Sequence, residues 1–155
     1  MPPNILYLHS HDTGRYVSPM GHAVPTPNVQ RLAEQGTLFR RCFCAAPTCS
    51  PSRAALLTGQ SAHSSGMLGL AHRGFALYDY GQHLVSTLKA AGYHTALAGM
   101  QHVGEGVGYD EELASETRSA NHVSATAARF LDSAPTQPFF LDVGYGETHL
   151  PFPEM

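Results

Sequence analysis

Apolar runs of strand length alternate along this chain with helical runs, and each strand candidate gives way to histidine near its carboxyl end. Residues 4–9 (Asn-Ile-Leu-Tyr-Leu-His) read as a short buried strand, residues 93–98 as a second and residues 139–143 as a third. Helical patterns lie between and around them. Thr26-Pro27, then Val29, Leu32 and Ala33, closed by Gly36, predict a short capped helix. Residues 50–58 predict a second, ended by Gly59. Residues 83–91 predict an amphipathic third, with Leu84, Val85 and Leu88 on one side and Gly92 as its stop. Residues 121–131 predict a fourth, with Val123, Ala127, Phe130 and Leu131 facing inward. Residues 37–45 are strand-like, although Arg40 and Arg41 interrupt them. Strands alternating with helices predict an α/β layer fold with a mainly parallel sheet.

Open parallel sheets bind ligands outside the carboxyl ends of their strands. The first strand runs into His9-Ser10-His11-Asp12, the second into Gly99-Met100-Gln101-His102, and the third into Gly146-Glu147-Thr148-His149. Ten histidines is a high count for this length, and any one of them is most simply a loop or core residue. Three successive strands delivering histidine to one rim point instead to a site.

The string that carries chemistry is Cys49-Ser50-Pro51-Ser52-Arg53, continued by Ala54-Ala55-Leu56-Leu57-Thr58-Gly59. Pro51 suits the first turn of a helix, where a missing N–H is no loss. Cys49 then sits beside the free N–H groups of the helix N-terminus, a natural place for an anion. Arg53 lies one turn along the same face and can add charge-assisted hydrogen bonds to an oxyanion. A buried thiol ahead of a capped helix would explain a lone Cys-x-Pro-x-Arg. The Leu-Thr-Gly tail makes the string far more specific.

The whole chain sets bounds. Its 155 residues suffice for one domain with a real core. With 43% hydrophobic and 14% charged residues and a net charge of −3, it has no signature of a nucleic-acid or anionic-membrane partner. No apolar run approaches spanning length, and Met1-Pro2-Pro3 runs straight into the first strand, so the expectation is a cytoplasmic protein. Three cysteines are an odd count and no disulfide framework, and Cys42 and Cys44 are expected to be reduced, buried thiols. The run Gly104-Glu105-Gly106-Val107-Gly108 lacks the context of a dinucleotide-binding loop and reads as a plain loop. Residues 150–155 follow directly on a strand and its loop, so the chain is expected to be the first part of a larger fold.

The string over residues 49–59 resembles the signature of the type I, formylglycine-dependent sulfatases. The likeness extends further. Pro3-Asn4-Ile5-Leu6 through Asp12 is similar to the family's opening strand and metal loop, and Thr26-Pro27-Asn28 through Gly36 to its "T-P-N-x-x-x-L-A-x-x-G" helix. Gly99 through Gly104 is similar to its "G-K-x-H-x-G" stretch, and His63, Gly66, Met67 and Gly69 look most like the sulfamidase branch.

The resemblance implies an alkaline-phosphatase-superfamily-like α/β sandwich with a mainly parallel central sheet, of which residues 1–155 form the N-terminal portion. It implies hydrolysis of sulfuric esters or sulfamates, with a sulfated small molecule or glycan as substrate. Cys49 would be oxidised to Cα-formylglycine by a formylglycine-generating maturation enzyme, and Arg53 would stabilise it. Asp12, with His11 and Cys49, would meet a divalent cation, usually calcium. His102 would be the base that breaks down the sulfated hemiacetal. His149 would hold the sulfate ester and help the leaving group depart. Proton transfers of this kind suit imidazole.

Two residues depart from the pattern. The family usually has two aspartates where this chain has His11-Asp12, and imidazole is a poor ligand for hard Ca²⁺. Met100 stands where the family usually has lysine. The later Asp-Asn pair of the metal site has no counterpart in the chain. Two other readings stay open. His9-x-His11 could grip one metal from alternate strand positions, as in amidohydrolase-like enzymes. Alternatively, the chain is an inactive or anion-binding sulfatase fragment.

Overall fold

A computed structural model describes residues 2–114, 119–133 and 135–150. Among them, four strands form one all-parallel sheet in the order β1-β4-β2-β3: β1 (Ile5–Ser10), β2 (His94–Gly99), β3 (Glu111–Leu113) and β4 (Phe139–Tyr145). The helices are α1 (Pro27–Gln35), α2 (Cys49–Thr58), α3 (Ala62–Ser65), α4 (Leu84–Ala90) and α5 (Ala120–Ser133). The strands expected at residues 4–9, 93–98 and 139–143 are present as β1, β2 and β4. β3 was not foreseen, because three residues reading Glu-Glu-Leu carry no apolar pattern. Its place is set by the preceding residue: Asp110 accepts from the Thr95 amide and hydroxyl, both at 2.9 Å.

β4 is buried on both faces, as a central parallel strand must be. One face meets α5 through Phe139, Leu141 and Val143, packed on Val123, Ala127 and Phe130. The other joins a second core of Phe140, Leu97, Val85, Val103, Leu57 and Ala54. β1 alternates half-buried and exposed residues, so Tyr7 and His9 face the second core while Leu6 and Leu8 face out.

Four expectations need correction. Residues 37–45 form an irregular segment with one turn at 40–41 rather than a strand. Two adjacent arginines there leave too few apolar positions for either a buried run or a clean alternation. The segment runs over the surface, so Cys42 and Cys44 are exposed rather than buried. Thr26 does not cap α1 with its side chain; its hydroxyl accepts from the Ser18 amide at 2.9 Å instead. On α5, Leu131 turns outward and Thr126 takes the buried position, because the core-facing stripe drifts at 3.6 residues per turn.

Candidate active site

The carboxyl ends of β1, β2 and β4 meet at one rim of the sheet, and each is followed by a strained turn. The only non-glycine residues with positive φ among those described are Asp12 (54°), His102 (61°) and Thr148 (72°), one after each of these strands. Such conformations cost about 1–3 kcal/mol each and persist where surrounding contacts over-determine them. Here the Thr148 hydroxyl donates to the His11 carbonyl and lies 2.9 Å from the Thr13 hydroxyl, tying the β4 turn to the β1 turn.

His11 is the hub. Its side chain is 1% exposed, and its ring centre lies 5.6 Å from that of His102 and 5.9 Å from that of His149. Among the described residues, neither ring nitrogen of His11 has a hydrogen-bond partner. Burial first, then the Arg53 charge and the neighbouring imidazoles, push its pKa down to about 4, so it is neutral at pH 7. Nε2 of His149 approaches the Asp12 carboxylate to 3.7 Å, and its Nδ1 lies 2.5 Å from the Leu150 carbonyl. His102 stacks on His72, with Nε2 and Nδ1 3.3 Å apart.

Cys49 is the first residue of α2, half-buried at the helix N-terminus. Ser50 behind it is fully buried, and its hydroxyl accepts from the Ala71 amide at 3.1 Å, which locks α2 to the loop carrying His72. Pro51 is the third helical residue, within the first turn. Cys49, Arg53, Asp12 and His9 line one open cavity of about 560 Å³, together with Cys44. His102 and Met100 line a second cavity of about 900 Å³, with His72, Glu105 and Glu112. Cys49, Arg53 and Asp12 thus fall in one depression and His102 in another. His11 and His149 line neither, and His11 is ringed by His9, His102 and His149.

Arg53 is held from both sides of its fork. Nη1 lies 2.5 Å from His9 Nδ1, and Nη2 donates to the Ser10 carbonyl at 3.0 Å. His9 Nε2 lies 2.9 Å from Asp142 Oδ1. Both nitrogens of His9 are thus engaged, which removes it as a metal ligand and with it the His9-x-His11 site. Asp142 was missed from sequence, yet a single carboxylate inside Phe-Phe-Leu-Asp-Val is a signal that something buried must answer it.

Toward a divalent cation, the rim contributes donors from three residues. It offers the Asp12 carboxylate, the two free nitrogens of His11 and the half-buried Cys49. Among the described residues, no three such side chains converge as a cation cradle. Calcium takes 6–8 oxygen ligands, and of these three residues only Asp12 brings side-chain oxygens that suit it.

Comparison with known proteins agrees with this architecture. The family model for sulfatases matches residues 3–154, and the chain belongs to the sulfatase family. Human N-sulphoglucosamine sulphohydrolase is 34% identical over 96% of this chain, and human N-acetylgalactosamine-6-sulfatase is 37% identical over 66% of it. The chain spans 32% and 22% of those two proteins. Among solved structures, BT4656, in complex with its substrate D-Glucosamine-2-N, 6-O-disulfate, superimposes over 97% of this chain and 35% of its own, with a TM-score of 0.82 at 24% identity. Ps i-CgsB superimposes over 97% of this chain and 46% of its own, with a TM-score of 0.77 at 25% identity. The α/β fold with its parallel sheet is thus that of sulfatases.

Proposed function

We propose that this protein hydrolyses sulfuric esters or sulfamates, with Cys49, converted to formylglycine, as its nucleophilic centre. The observation that carries this reading is that Cys49 and Arg53 share one helix face and one cavity with Asp12, beside the carboxyl end of β1. The modified residue supplies a hydrated aldehyde oxygen as nucleophile. The chain's own residues bind and orient. Arg53 and the first N–H groups of α2 favour an anion beside Cys49. His102 and His149 are the proton-transfer groups, and His72 stacked on His102 fixes the plane of that ring. The similarity to human N-sulphoglucosamine sulphohydrolase supports a sulfated amino sugar as the substrate class. A formylglycine-generating maturation enzyme and a divalent cation at Asp12 complete the reading.

A second reading has its own observation. Met100 lines the cavity beside His102 and brings no charge to a sulfate. On this reading the rim binds anions without turnover. The test is hydrolysis of an aryl sulfate and of N-sulfoglucosamine by protein made with a formylglycine-generating enzyme. Cys49→Ala is the control. Turnover that vanishes in the control supports the first reading. Sulfate binding without turnover in fully modified protein supports the second.

A further inference from the structure

We propose that His9, Asp142 and Tyr109 form a buried relay that positions the Arg53 guanidinium at the Cys49 cavity. The relay deepens the functional reading above and rests on Arg53 as an oxyanion donor. Its links are short and converge on Asp142 from two sides. Tyr109 donates its hydroxyl to Asp142 Oδ2 at 2.6 Å. Asp142 Oδ1 meets His9 Nε2 at 2.9 Å, and His9 Nδ1 meets Arg53 Nη1 at 2.5 Å.

The donor inventory fixes the protons. Guanidinium only donates, so His9 Nδ1 must accept. The ring proton then sits on Nε2 and donates to Asp142. Both Asp142 oxygens are satisfied, as a carboxylate with no exposed surface requires. Burial, then the Asp142 charge, push the Tyr109 phenol up, so it stays a donor.

The surroundings are shaped for the ring. Tyr7 stacks on His9 with centres 4.8 Å apart. His9 pairs in register with Gly144, where a Cβ would come within 2.7 Å of His9 Cε1. Two of the five guanidinium donors are committed to His9 and to the Ser10 carbonyl. Among the described residues the other three have no partner, and the relay sets their orientation toward an anion. His9, Asp142 and Tyr109 are positioning residues and touch no reacting atom.

The test uses the intact, matured protein. Inorganic sulfate affinity is measured by calorimetry and turnover with N-sulfoglucosamine, for wild type, His9→Leu, His9→Gln, Asp142→Asn, Arg53→Ala and the double variant Arg53→Ala/His9→Leu. The relay predicts that His9→Leu lowers kcat/KM by about 10- to 100-fold, the scale of a small misplacement of a substrate-orienting group. His9→Gln, which keeps a donor and an acceptor, recovers to within about threefold of wild type. In the Arg53→Ala background, His9→Leu adds nothing further, because its effect runs through Arg53. An additive loss in the double variant marks a purely structural role and overturns the relay. If His9→Leu does not fold, Asp142→Asn supplies the same arm, with the same predicted loss. If Arg53→Ala alone leaves sulfate affinity and turnover unchanged, the functional reading falls and the relay with it. If Arg53→Ala is deleterious while His9→Leu and Asp142→Asn are silent, only the relay falls.

Discussion

At the scale of single residues, the rim trades backbone strain for placement. His102 holds a left-handed conformation that glycine adopts without cost. His102→Gly is therefore expected to be neutral or stabilising by up to about 1 kcal/mol in chemical denaturation, while turnover falls more than tenfold. A clear loss of stability would mean that the turn depends on the side chain instead. His11 invites a second test. Replacing its imidazole with a carboxylate, His11→Asp, is expected to raise Ca²⁺ affinity about tenfold or more, read as a Ca²⁺-dependent rise in melting temperature that wild type lacks. An unchanged calcium response would show that this position does not face the cation. The histidines at the rim were legible in the sequence because each follows an apolar run. The His9–Asp142 pair was not, since its members lie 133 residues apart and only the sheet register brings them together.

At the scale of elements, the sequence was most readable where a period was long and its ends were marked. α2, α4, α5 and β4 appear within a few residues of their expected limits, carried by apolar spacing and by Gly59 and Gly92. The segment 37–45 misled because β-branched and aromatic content alone does not supply a partner strand. The start of α4 also carries a pH prediction. His83 caps it, with Nδ1 accepting from the Val85 amide at 3.2 Å, and is fully buried. Burial pushes its pKa down to about 4 from the ordinary 6.5. The unfolded chain therefore takes up a proton as pH falls through about 6.5, while the folded chain resists until about 4. Stability contributed by neutral His83 is complete above that window and is lost across it, by roughly 1–3 kcal/mol. His11 has the same sign. His83→Asn keeps a capping acceptor and is expected to flatten the fall in urea-midpoint stability between neutral and acid pH without abolishing it. An identical pH profile would contradict the assignment.

At the scale of the whole molecule, the chain spans 32% of human N-sulphoglucosamine sulphohydrolase and presents considerable apolar surface. Leu6 and Leu8 on the outer face of β1 are about half exposed, and Leu32, Phe39 and Phe43 are exposed more fully. Patches of this kind mark contact surfaces, so the 155-residue chain alone is expected to self-associate in light scattering and to bind a hydrophobic dye while folded. A dye-silent monomer would contradict that. The assignment of Cys49 as the centre of a hydrolytic site is open to one direct measurement. Peptide mass spectrometry of protein co-produced with a formylglycine-generating enzyme, run beside N-sulfoglucosamine hydrolysis on the same sample, reads both modification and activity. Sulfur is expected to be replaced by oxygen at Cys49 and at neither Cys42 nor Cys44, with the rate proportional to the modified fraction. Full hydrolytic activity with Cys49 unmodified throughout would contradict that assignment.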